Sequence, residues 1–167
     1  MLVSKEAAYH EAGHAVSAYL SPFHGIADGK VNIGSFGSGA ADIRLSKKKV
    51  QAAGKTLSPA VALDPKVAAS MATVLAAGFA AEQIAASLDN TITPNPVCSG
   101  PDYVELTNHT QAAGISSDVS IYHAQATSLL QKEWAQVERL AEILYRRGSV
   151  DGVDIAIYLE SIYGPRP

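Results

Sequence analysis

Apolar residues recur at three- and four-residue intervals through most of this chain, and polar residues mark where those runs begin and end. Ser4 is placed to cap a helix with Glu6 in its first turn, and the Ala-rich run behind it reaches about Leu20 before "SPFHG" stops it. Residues 30–45 lose the helical period: "KVNIGSF" and "AADIRLS" are Gly-punctuated and read as strands. Asp64 and Pro65 form a cap and first-turn pair that opens an Ala-rich helix to about Leu88. Residues 89–113, with Pro94, Pro96 and Pro101, read as a long loop. A further helix opens in "SSDVS" and runs to "LYRRG", where Arg146 and Arg147 suit a helix C-terminus and Gly148 the residue beyond it. Along it Ala126, Leu130, Trp134, Val137, Ala141 and Leu144 form one core stripe. Asp151 to Ile162 make a last short helix. The pattern predicts a mainly α fold with a small β-sheet (α+β), one domain over residues 1–167, and no internal repeat.

One stretch departs from the packing logic. "AAYHEAGHAVSAYL" sets His10, Glu11 and His14 in the middle of the first helix. Residues four apart share a helix face, with Cβ atoms about 5–6 Å apart, so His10 and His14 can reach one metal ion. Glu11 is turned about 100° away, out of the ligand shell but within reach of a water beside it. Imidazoles suit Zn²⁺, and this His-Glu-x-x-His spacing is that of zinc hydrolases in which the glutamate is the general base. Gly13 costs about 1 kcal/mol relative to alanine inside a helix, and its presence predicts close approach of another backbone.

Composition narrows the field. Apolar residues make up 47% and charged residues 17%, which describes a packed chain. The net charge is −3 and the one cationic cluster, Lys47–Lys49, reads as a solvated loop, so nucleic acid is not an expected partner. Cys98 is the sole cysteine and reads as a loop thiol; internal disulfides and cysteine-based zinc clusters are excluded, which fits a reducing cytoplasm. No uninterrupted apolar run of about 18 residues and no signal peptide are apparent, so no membrane segment is expected.

Two histidines leave a zinc site short of a third protein ligand. His24 and His109 read as loop residues, and His123 as a core or supporting residue. Two carboxylates compete. Glu82 shares a helix face with Met71, Leu75 and Gly78, and a glutamate on a buried stripe needs a partner, either a metal or a ligating histidine. Asp118 sits in the first turn of its helix behind Ser116 and Ser117. Spacing does not decide between them.

Several stretches together resemble the peptidase domain of the FtsH family, the ATP-dependent zinc metallopeptidases. "AYHEAGHAV" looks like that family's zinc helix, and "KEWAQVERLAEILYRRGSVDGVDI" like its closing helices. "GKVNIGSFGSGAADIRL", "AAGFAAEQIA" and "GISSDVS" are similar to its edge-strand segment, its Gly-x-Ala-Ala-Glu-Glu helix and its Gly-Ala-Ser-Asn-Asp-Leu stretch. The resemblance implies zinc ligands at His10, His14 and Asp118, Glu11 as general base, Glu82 behind the ligands, and hydrolysis of peptide bonds. The chain departs from the family at Gln83, at Ser117 and Val119, and in the length of residues 89–108. No Gly-x-x-x-x-Gly-Lys-Ser/Thr loop occurs, so the family's ATPase module is expected to be missing or supplied by another chain. The reading is therefore a zinc metalloendopeptidase acting on unfolded or short peptide segments, alone, as a homo-oligomer or beside a separate ATPase. The rivals are a non-catalytic metal-binding interaction module and a metal hydrolase acting on a non-peptide bond.

Overall fold

The computed structural model describes residues 4–26, 30–32 and 43–167. In chain order the elements are α1 (Lys5–Leu20), β1 (His24–Ile26), β2 (Lys30–Asn32), β3 (Ile43–Leu45), α2 (Lys47–Ala52), a 3-10 turn (Pro59–Leu63), α3 (Pro65–Leu88), α4 (Gly100–Ala112), α5 (Val119–Lys132), α6 (Trp134–Arg147), β4 (Ser149–Asp151) and α7 (Gly152–Tyr163). The fold is mainly α with small antiparallel pairings, as the pattern predicts. β1 pairs with β3 (His24 opposite Leu45) and β2 with β4 (Lys30 opposite Asp151). The predicted strand residues 33–42 lie outside the described residues.

The long helices begin where their capping residues dictate. Ser4 Oγ accepts from the Ala7 amide, and Asp64 accepts from the amides of Lys66 and Val67 with Pro65 behind it. Gly148 closes α6 at φ 72°, a left-handed conformation that favours glycine.

α1 lies at the centre, packed on α3 and α6, while α3 also carries α4 and α5. The α1–α3 contact is built from small residues: Ala8, Ala12 and Ala15 are buried on one side, Ala76, Ala77, Ala80 and Ala81 on the other. Gly13 meets the expectation of close backbone approach, since a Cβ there would lie 2.5 Å from the Ala77 carbonyl oxygen. By length and composition α3 is apolar enough to cross a membrane, and most of that apolar stretch is buried inside the fold.

Four sequence expectations are corrected. Residues 89–113 are not all loop: Pro101 falls in the first turn of α4, where a missing N–H costs nothing, and the helix runs on to Ala112. The single helix expected up to "LYRRG" is two, broken at Glu133, whose carboxylate accepts from the Tyr163 hydroxyl of α7 at 2.5 Å. The stripe itself survives the break, with Ala126, Leu130, Val137, Ala141 and Leu144 buried and Trp134 stacked on Tyr9.

The last two corrections concern His24 and Lys49. His24 is a buried β1 residue, not a surface loop residue; its Nδ1 lies 3.2 Å from Ser21 Oγ and 3.3 Å from Ser70 Oγ. Lys49 is not solvated. It is buried on α2, and its ammonium donates to the carbonyls of Ala18 (3.2 Å), Tyr19 (2.7 Å), Ser21 (3.0 Å) and His24 (2.5 Å). Those acceptors include carbonyls that the end of α1 leaves without helical donors, so Lys49 caps the helix from across the fold. Burial, with a smaller effect of Arg166, lowers Lys49 to about 8.

Candidate metal centre

α1 presents His10 and His14 on one face, both buried, toward the glycine of α3. A Cβ on Gly78 would lie 2.5 Å from His14 Nε2 and 2.6 Å from both Cε1 and Nε2 of His10. Gly78 is therefore the space the two imidazoles occupy.

Each imidazole is fixed through Nδ1. His14 Nδ1 is 2.8 Å from the Val74 carbonyl oxygen, which only accepts, so this nitrogen carries the hydrogen. His10 Nδ1 is 2.6 Å from Glu82 Oε1, and donates to that carboxylate. Both Nε2 atoms are left to face the site. They lie 3.0 Å apart, and Asp102 Oδ2 completes a triangle at 3.0 Å from His10 Nε2 and 3.2 Å from His14 Nε2.

This triangle fits a metal ion. Two imidazole nitrogens committed at Nδ1, and a carboxylate oxygen, would oppose one another at these distances unless a positive charge lay among them. A tetrahedral shell with bonds of about 2.0–2.2 Å sets its ligand atoms about 3.3–3.5 Å apart, a few tenths wider than observed here. The charge balance points the same way: Glu11 and Glu82 are buried and Asp102 is partly buried beside the two imidazoles. Burial opposes a proton on His10, yet its bonds to Asp102 and Glu82 outweigh that and raise it to about 10. Asp102 is opposed by burial too, and the two histidines hold it well below the usual carboxylate range. His10, His14 and Asp102 could hold a metal ion.

The third carboxylate is where the structure and the resemblance part. Asp118 is not brought to the histidines. It caps α5 at the surface, its Oδ1 accepting from the Ser120 amide (3.0 Å) and hydroxyl (2.7 Å). Asp102 takes the place instead, from the first turn of α4. Reading residues 89–113 as loop hid it, although Pro101-Asp102 carries the signal of a helix start with an acid in its first turn. Glu82 lies behind His10: its Oε1 accepts from His10 Nδ1 at 2.6 Å and its Oε2 from the Asn95 amide at 2.6 Å. Gln83 is exposed. His109 lies in the last turn of α4, 3.9 Å from Glu105, and outside the metal group. His123 is half-buried beside Phe79, with burial lowering its pKa and its Nε2 lacking a hydrogen-bond partner among the described residues.

In comparisons with known proteins, neither the family models nor the curated sequences gave a match to this chain.

Proposed function

We propose that this domain is a zinc-dependent peptidase in which His10, His14 and Asp102 hold the metal and Glu11 is the general base. The observation that carries the reading is the convergence of His10 Nε2, His14 Nε2 and Asp102 Oδ2, with a buried glutamate next in sequence to His10. A bound Zn²⁺ would supply Lewis acidity, polarising the scissile carbonyl and lowering the pKa of a water. The protein supplies the rest. Glu11 accepts the proton of the attacking water and returns it to the departing amine. Glu82 and the Val74 carbonyl hold both imidazoles in the tautomer that leaves Nε2 free for a cation. An extended peptide would pair with β3, at Ile43–Leu45. Short or already unfolded peptides are the substrates the reading favours.

Among the described residues the shell has three protein ligands, and that is what separates this reading from a structural zinc site, which takes four. Casein or peptide cleavage tests it: wild type should cleave, a chelator should stop it, and Glu11→Gln should lower the rate by about 10²–10⁴-fold, the worth of a general base. Undiminished cleavage by Glu11→Gln would sink the mechanism.

A further inference from the structure

Asp102 reaches the histidines at the end of a segment that is tied down in two places. Glu6 of α1 accepts from the Thr93 amide at 3.1 Å, and Glu82 of α3 accepts from the Asn95 amide at 2.6 Å. Asn95 then turns the chain toward α4: its Oδ1 accepts from the amides of Val97 (3.1 Å) and Cys98 (3.4 Å). The Glu82 carboxylate is shared. One oxygen receives His10 Nδ1 and the other receives the Asn95 amide. Glu82 is almost wholly buried, at 1% exposure, so each of its oxygens needs a donor.

We infer that the Asn95 backbone N–H and Glu82 form a strap that sets the position of Asp102 and the orientation of His10 together, making both positioning residues for one metal shell. The inference rests on the metal site proposed above. Pulling the segment away from Glu82 would displace the third carboxylate and free the oxygen that fixes the first imidazole's partner. Assembly of the shell is then a joint property of α1, α3 and the 93–102 segment.

The test compares Asn95→Pro with Asn95→Ala. Both lose the side-chain turn, but proline alone deletes the N–H that Glu82 accepts. Zinc titration of the purified chain, with melting of the metal-free protein as control, should show Asn95→Pro binding at least about tenfold more weakly than Asn95→Ala, the lower range for losing an outer partner. The cobalt-substituted proline variant should also lose the visible absorption of a four-coordinate site. Equal zinc affinity in the two variants overturns the strap while leaving the metal site standing. A wild-type chain that takes up no zinc overturns both. Should the proline variant fail to fold, amide exchange in the wild type decides: zinc should slow exchange at Asn95, and Glu82→Ala should abolish that protection. Exchange at Asn95 indifferent to zinc overturns the inference.

Discussion

At Gly78 one methyl group separates the candidate metal site from an ordinary helix contact. The imidazoles it would strike cannot swing aside freely, because His10 is held by Glu82 and His14 by the Val74 carbonyl. Alanine is at the same time the better helix former, by about 1 kcal/mol. Gly78→Ala should therefore weaken zinc binding sharply, measured by titration, and should also lower the melting temperature of the metal-free protein, because the clash with two held imidazoles outweighs the gain in helix propensity. The two aspartates divide in the same way. Asp102→Ala should cost more zinc affinity than the about 10–100-fold typical of an outer partner. Asp118→Ala should bind zinc as wild type does and lose a little thermal stability, since its carboxylate only caps α5. The reverse result would return the third position to Asp118.

Among the elements, those with complete local signals were legible in the sequence. α1 and α3 carry a capping residue, a long apolar run and a clear stop, and their contact was foreshadowed by Gly13. The meeting of His10 and His14 was legible for the same reason, because two histidines four apart need only helical geometry to meet. What escaped was set by distant partners. α4 hid among prolines because Pro101 in a first turn and a proline in a loop look alike until the helix has something to pack on. Asp102 meets His10 across more than ninety residues, a pairing without a local signature. Lys49 has no local mark of burial: it stands in a run with the exposed Lys47 and Lys48, and its carbonyl acceptors lie on α1 and just beyond it. Replacing it should reveal that role. Lys49→Met keeps most of the side-chain volume but strips a buried cap from several carbonyls, and should destabilise the fold by about 2–4 kcal/mol in chemical denaturation. A change within about 0.5 kcal/mol would show that water replaces the ammonium.

For the molecule as a whole, buried histidine makes stability depend on acid. Burial, with the nearby charges of Lys49 and His109, lowers His24 to about 4 in the folded state, against about 6.5 when unfolded. Between those values the unfolded chain binds more protons, so stability rises with pH there. The contribution is present above about 6.5 and is lost as pH falls toward 4, on the order of 3 kcal/mol. Denaturation of metal-free wild type and His24→Gln across that range should show a steeper acid loss in the wild type; parallel curves would contradict it. The central claim is more local: three side chains from α1 and α4 converge on one cation. Its most direct test is a crystal of zinc-loaded protein measured at the zinc absorption edge. The account predicts one anomalous peak, bonded to His10 Nε2, His14 Nε2 and an Asp102 oxygen. A peak ligated by Asp118, or no peak at the histidines, would contradict it.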